Sequence, residues 1–133
     1  MESSAAVEVE KLLTGDLSSA QVVYGLPHGA LEEEFRGVHL VLQAAAVTRV
    51  LYGMLSDNIS GDDAQLWASF VRRGFAASAD QGPIRPLRID YEEKHEDAIV
   101  EAIARLDEIG DLIDGNIGRS EIADLIDGLL ATS

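Results

Sequence analysis

Acidic side chains are concentrated in the last third of the chain. Residues 90–133 contain 13 Asp and Glu residues but only 3 Lys and Arg residues, which gives this segment a formal net charge of −10. The preceding 89 residues contain 11 acids and 7 bases, a net charge of −4. Dense carboxylates bind cationic groups, either metal ions or the Lys and Arg side chains of another protein. The spacing of the acids has to distinguish between these two chemistries.

Two spacings in this region are similar to metal-binding patterns, and both are incomplete. Glu92 and His95 have the Glu-x-x-His spacing of di-metal helical bundles. Such a site needs a second copy of the motif and two further Glu residues, and the sequence has no second copy. Residues 114–121 are similar to the second half of a calcium loop, but the first and third ligand positions fall on Gly110 and Leu112, which have no side-chain oxygen. We therefore predict no metal site and no cofactor.

Motifs of nucleophilic catalysis and phosphate binding are missing from the sequence. The chain has no Cys, no Gly-x-Ser-x-Gly elbow and no Gly-rich phosphate loop. Its 24 carboxyl groups form many pairs, so no single pair is identified as a catalytic acid and base. We predict a non-enzymatic protein without catalytic residues, and a small carboxylate-dependent enzyme is the alternative hypothesis.

The composition of the whole chain restricts its partners and its location. The 133 residues carry a formal net charge of −14, which disfavours binding to nucleic acids and to anionic membranes. No apolar run approaches the roughly 18 residues that indicate a membrane span, and the N-terminal sequence lacks the pattern of a signal peptide. Because the chain also lacks Cys, we expect a soluble protein of the cytoplasm.

Apolar residues recur mainly at intervals of three and four, which predicts an all-α fold. The chain has the length of one domain and 47% hydrophobic residues, so we expect a compact bundle of five or six helices over residues 1–133. The longest helix is expected within residues 30–56. The predicted helices cover about residues 4–14, 16–26, 30–55, 91–109 and 120–130, and a further helix starts after Ser60 and either ends at Gly74 or runs to Ala77.

Several local features of this prediction can be compared directly with the structure. Ser60 and Asp63 are spaced as a capping box at the start of a helix in which Trp67 is expected to be buried. Residues 79–90 contain two Pro residues and are predicted to form a loop, after which Asp90 caps the next helix. Residues 37–42 also fit a short strand; we favour a helix there because no second segment of comparable strand character is available for pairing.

Two segments resemble known groups of small bacterial proteins. Residues 12–20, Leu-Leu-Thr-Gly-Asp-Leu-Ser-Ser-Ala, resemble the opening of immunity proteins of the colicin D type and related polymorphic-toxin antidotes. Residues 47–130 loosely resemble small acidic helical proteins of actinobacteria that have an Ile-Ser-x-x-x-Ala-x-x-Trp-Ala core. The residues that carry this second resemblance are Ile59, Ser60, Ala64, Trp67 and Ala68. The resemblance implies a helical domain and is consistent with an immunity role.

The expected function is therefore the binding of a basic protein, most directly as an immunity protein that blocks a nuclease-type toxin. A toxin that binds nucleic acid presents Lys and Arg to phosphates, and carboxylates can cover the same surface. A purely solvating role for the acids and a role in a homo-oligomer are the alternatives. Glu101 is also spaced to pair with Arg105 on the same helix. The predicted partner-binding residues are Glu93, Asp97, Glu101, Glu108, Asp111, Asp114, Asp124 and Asp127.

Overall fold

The computed structural model describes residues 4–18, 20, 40–73, 89–109 and 117–131. In chain order these residues form helix α1 (Ser4–Leu13), strand β1 (Leu40–Leu42), α2 (Ala44–Leu55), α3 (Gly61–Arg73), β2 (Ile89–Tyr91), a 3-10 turn (Glu93–His95), α4 (Glu96–Asp107) and α5 (Arg119–Ala131). Five α-helices and one small sheet within these ranges confirm the predicted helical fold. Residues 30–39 and 79–88 lie outside the described part of the chain, as does the second predicted helix except for residues 16–18 and 20.

Among the described residues, the helices pack around a core of aliphatic side chains and two aromatic rings. Helix α3 packs along α4, while α2 packs along α5 and also contacts α3 and α4. Trp67 and Phe70 of α3 and Leu51 of α2 are fully buried, as the helical periodicity predicts. The indole Nε1–H of Trp67 donates a hydrogen bond to the carbonyl oxygen of Leu12 at 2.7 Å, which joins α3 to the end of α1.

Helix α1 ends in a Schellman motif that requires a glycine at residue 15. Gly15 has φ +87°, and the N–H groups of Gly15 and Asp16 donate to the carbonyls of Leu12 and Lys11, both at 3.0 Å. A Cβ atom at Gly15 would lie 2.6 Å from the carbonyl oxygen of Ala46 in α2. The glycine therefore permits both the left-handed backbone and the close approach of α2.

The start of α3 confirms the predicted cap. Ser60 Oγ accepts a hydrogen bond from the backbone N–H of Asp63 at 3.1 Å, and Ile59, immediately before the cap, packs against the core. Two acids, Asp62 and Asp63, occupy the first turn, and Arg72 and Arg73 occupy the last, as the helix dipole favours.

The prediction of one continuous helix over residues 30–55 is wrong at residues 40–43. Leu40–Leu42 form β1, which pairs in parallel with β2 in the register Leu40 with Ile89 and Leu42 with Tyr91. Gln43 has extended backbone angles, and α2 begins only at Ala44. Leu40 and Leu42 are buried and satisfy the period of a strand, so the apolar residues of this segment did not distinguish helix from strand. As a result α2 has 12 residues, whereas α3 and α5 have 13 each.

The predicted helix over residues 91–109 starts later than expected. Asp90 lies in β2 opposite Val41 and does not cap the helix. The chain leaves the strand through the 3-10 turn, and α4 begins at Glu96. Ile89 and Asp90, the last two residues of the predicted loop, therefore lie in β2. Both errors have one cause, which is the pairing of two three-residue strands that lie 49 positions apart in the chain.

Candidate partner-binding surface

Helix α4 has an apolar side and an acidic side. Its sequence places Ile99, Ala102, Ile103 and Leu106 on one face, and all four are buried. The opposite face carries Asp97, Glu101 and Glu108, and all three side chains are exposed. Packing of the apolar face against α2, α3 and α5 therefore directs the acids toward solvent.

Helix α5 continues this arrangement. Ile122, Ile126 and Leu129 are buried, while Asp124 and Asp127 are exposed. Helices α4 and α5 pack against one another. Six of the eight predicted partner-binding residues thus lie exposed on two adjacent helices and the turn before them, and Asp111 and Asp114 lie outside the described residues. We refer to these six as the acidic face: Glu93, Asp97, Glu101, Glu108, Asp124 and Asp127.

Other acids of the same region are used inside the fold. The Asp107 side chain is only 4% exposed, and its Oδ2 lies 3.0 Å from Arg72 Nη1 and 3.7 Å from Arg73 Nη2. Its Oδ1 accepts a hydrogen bond from Gln65 Nε2 at 3.0 Å. Asp107 therefore ties α4 to α3, whereas its neighbour in sequence, Glu108, is exposed.

Arg105 also has an internal partner, and this corrects the expected pairing with Glu101. Arg105 Nη2 donates to Glu121 Oε1 at 3.2 Å, and its Nε donates to the other carboxylate oxygen. This two-point bond joins α4 to α5. It also uses Glu121, the residue that occupies the twelfth position of the incomplete calcium-loop pattern.

Within the described part of the chain, the carboxylates of the acidic face have no neutralising partner. None of its six carboxylates forms an ion pair or hydrogen bond with another described residue, while Arg72, Arg73 and Arg105 are bound to Asp107 and Glu121. Asp97 and Glu101 are four residues apart on one helix, a spacing at which like charges repel. A cationic surface placed here would relieve this repulsion.

The Glu-x-x-His pair has a structural role at the start of α2. Glu92 Oε1 accepts a hydrogen bond from the backbone N–H of Ala44 at 3.0 Å. The backbone N–H of Glu92 donates to the carbonyl oxygen of Leu42 at 2.9 Å. The bond from Ala44, with a smaller contribution from His95, holds the pKa of the Glu92 carboxyl below its ordinary value. His95 Nδ1 is buried 3.1 Å from Glu92 Oε1 but is not aligned for a hydrogen bond. No group of three metal-ligating side chains occurs within the described residues.

A groove open to solvent lies beside this pair, between α2 and α5. It has a volume of about 500 Å³ and includes Glu92 and His95 in its lining. A carboxyl group that acts as a general acid near neutral pH needs a raised pKa, and the pKa of Glu92 is lowered. The alternative hypothesis of a carboxylate-dependent enzyme therefore gains no support from this groove.

Three exposed residues near these features were not included in the sequence-based prediction. Glu96 occupies the first turn of α4 beside Asp97. Tyr52 and Leu130 are 51% and 53% exposed and line the groove between α2 and α5. Tyr52 directly follows the buried Leu51. Because adjacent residues point in different directions on a helix, the helical period places Tyr52 outside the core.

In comparisons with known proteins, no protein-family model, no curated protein and no solved structure matches the chain. Among the helices that the structure describes, none combines the length and the apolar character that crossing a membrane requires.

Proposed function

We propose that the protein is a non-enzymatic binding protein whose acidic face covers a basic surface of a partner, and that the partner is a toxin of the nucleic-acid-cleaving type. The observation that carries this proposal is a set of six exposed carboxylates on α4 and its two flanking turns and on α5, none of which is paired with another described residue. Three basic residues of α3 and α4, Arg72, Arg73 and Arg105, are bound to Asp107 and Glu121 and not to these six acids.

The charge of the partner follows from electrostatic complementarity. The chain carries a net charge of −14, and the segment from residue 90 onward contributes −10 of it. Such a field raises the rate of encounter with a basic protein and lowers the rate of encounter with an acidic one. A nuclease-type toxin presents Lys and Arg where it binds phosphates, so a carboxylate surface can occupy its substrate site.

The resemblance of residues 12–20 to the opening of immunity proteins supports the same class of partner. In such a role the inhibitor needs no catalytic group, because it blocks the toxin by occupying its surface. Cytoplasmic location is part of this proposal, since the inhibitor must meet the toxin where nucleic acid is attacked.

The test measures association with the protein encoded by the neighbouring gene, prepared as a catalytically inactive toxin domain. Stopped-flow mixing at several NaCl concentrations compares the wild-type chain with the triple variant Glu93→Lys/Asp97→Lys/Glu101→Lys. We expect association to slow by about tenfold or more at low salt, and its salt dependence to flatten, while circular dichroism shows an intact fold.

A matched pair of double variants separates the acidic face from net charge alone. Asp97→Lys/Glu101→Lys changes two residues of the face, and Glu10→Lys/Asp62→Lys changes two exposed acids elsewhere by the same total charge. Slower association in the first variant alone supports the proposal. Equal slowing in both would show that only total charge matters, and an unchanged rate in the triple variant would remove the face from the mechanism.

A further inference from the structure

Four large apolar side chains are exposed among the described residues, and two of them share one groove. Tyr52, Leu66, Val100 and Leu130 are between 42% and 53% exposed. Tyr52 of α2 and Leu130 of α5 are 78 positions apart in sequence, yet both line the groove beside Glu92 and His95. Half-exposed aromatic and aliphatic side chains that converge on one concave surface are typical of a binding site.

The lining of this Tyr52–Leu130 groove suits an apolar side chain. Ala45 and Leu129 contribute further apolar surface, and Thr48 contributes a hydroxyl that is already bonded to the Ala44 carbonyl oxygen at 2.9 Å. The volume, about 500 Å³, accommodates a side chain of any size. Its openness to solvent fits a side chain presented by a protein surface better than an enclosed small molecule.

One residue of the acidic face, Asp127, lies beside the groove on α5. Asp127 precedes Leu130 by three residues, so these two exposed side chains are neighbours on the helix surface. Arg49 lines the groove, and its Nη1 lies 3.5 Å from the carbonyl oxygen of Thr14. A cation that accompanies the apolar side chain is therefore favoured on the α5 side, near Asp127, and disfavoured near Arg49.

Charge steering and complex lifetime have different structural sources. Exposed charges at the rim of an interface mainly set the association rate, whereas buried apolar and aromatic contacts mainly set the dissociation rate. The acidic face supplies only exposed charges, which act on the association rate. Tyr is among the residue types most enriched in such buried contacts, and its ring also attracts cations.

We propose that the Tyr52–Leu130 groove receives an exposed aromatic or aliphatic side chain of the same basic partner, flanked by a Lys or Arg that pairs with Asp127, and that this contact sets the lifetime of the complex. This inference rests on the proposed function, because the charge and the identity of the partner come from it. It adds a second, apolar element to the interface and states what that element recognises.

The test uses the same inactive toxin domain from the neighbouring gene and measures association and dissociation separately. Tyr52→Ala and Leu130→Ala are each expected to raise the dissociation rate by about tenfold or more, with the association rate and its salt dependence unchanged. Tyr52→Phe keeps the ring and is expected to dissociate within about twofold of the wild type. Leu66→Ala removes an apolar side chain of α3 that is 42% exposed but lies outside the groove, and it is expected to change neither rate.

The possible results distinguish this inference from the proposed function. Unchanged dissociation in Tyr52→Ala and Leu130→Ala, together with slowed association in the acidic-face triple variant, would overturn the groove proposal alone. Absence of binding by the wild-type chain would overturn both. Light scattering of the isolated protein gives a further outcome: a dimer that Tyr52→Ala dissociates would show that a second copy occupies the groove, and would overturn the assignment to the toxin.

Discussion

Trp67 connects three parts of the fold through one side chain. Its ring is fully buried in α3, and its Nε1–H reaches the Leu12 carbonyl oxygen at the end of α1. Because α1 ends in a left-handed turn against α2, the position of Leu12 also influences the approach of α2. The indole therefore supports the arrangement of helices as well as filling the core.

Replacing Trp67 by Ala is expected to lower the free energy of unfolding by about 3–5 kcal/mol, because it leaves a cavity and removes the bond to Leu12. This is a large part of the roughly 5–15 kcal/mol typical of a small domain. Urea denaturation monitored by circular dichroism measures the effect. The exposed neighbour gives the control: Leu66→Ala is expected to change stability by about 0.5 kcal/mol or less. Equal effects of both substitutions would contradict the structural role of Trp67.

Glu92 should make stability depend on pH in the acid range. Its pKa lies below the ordinary value of 4.5, chiefly because the Ala44 N–H donates to the carboxylate and secondarily because of His95. The native state therefore binds this proton less readily than the unfolded chain. The resulting stabilisation is fully present above about pH 5.5 and is lost as the pH falls through the native-state pKa.

Comparison with Glu92→Gln isolates this contribution, since Gln keeps an acceptor oxygen but not the charge. The wild type is expected to be more stable than the variant near neutral pH, and the difference is expected to shrink below about pH 4.5. Thermal or urea unfolding between pH 3 and pH 7 measures it. Glu93→Gln is the control. This substitution removes the same charge, and Glu93 is exposed and forms no bond to α2. A difference that stays constant over this pH range would contradict the assigned role.

At the scale of elements, the junction between β1 and α2 is held by residues distant in sequence. Leu42 O accepts a hydrogen bond from the Glu92 N–H, and the Glu92 carboxylate binds the first N–H of α2. Gln43, at the N-cap position, provides no side-chain bond. A single residue, Glu92, thus accounts both for the end of the strand pairing and for the start of α2, because its carboxylate binds the first N–H group of that helix.

The strand at residues 40–42 can be tested by substitution at Val41, which is partly exposed. A strand favours Thr over Ala, whereas a helix favours Ala over Thr by about 0.5 kcal/mol. We expect Val41→Thr to be more stable than Val41→Ala in urea denaturation. Ala45 provides the opposite case, because it is exposed in the first turn of α2, where a helix favours Ala. Ala45→Thr is therefore expected to lower the stability of the protein. If the Ala variant at residue 41 were the more stable one, residues 40–42 would be helical in solution.

At the scale of the whole molecule, the excess of negative charge opposes the folded state. Among the described residues, the Asp107 carboxylate, paired with the arginines of α3, is buried and poorly accessible to salt. The exposed carboxylates of the acidic face repel one another through solvent and are screened readily, since the Debye length falls from about 30 Å at 0.01 M salt to about 10 Å at 0.1 M. Screening should therefore stabilise this protein.

We expect the melting temperature to rise with NaCl between about 10 mM and 500 mM, by about 3–5 °C for each kcal/mol of repulsion relieved. The triple variant of the acidic face has a formal net charge of −8 and should show a weaker rise. Differential scanning calorimetry measures both. A melting temperature that falls with NaCl would show that the ion pairs at Asp107 and Glu121 outweigh the repulsion.

The sequence alone determined those features that depend on neighbours within a few positions. The period of apolar residues located α1 and α5 to within about a residue at each end, and it placed the acids of α4 on the side away from the core. The Ser60 cap and the burial of Trp67 also followed from local spacing. Such predictions succeed because helix periodicity and capping are properties of a single segment.

The tertiary structure decided what depends on residues far apart in the chain. A strand at residues 40–42 is stable only because Ile89–Tyr91 lies beside it, and no property of residues 37–42 reveals that partner. The same holds for the acids, since Asp107 and Glu108 are neighbours in sequence but only Asp107 faces the arginines of α3. Arg105 binds Glu121 of α5, because helix packing brings that carboxylate within reach. Local spacing thus determined where charges occur, and packing determined which of them remain available to a partner.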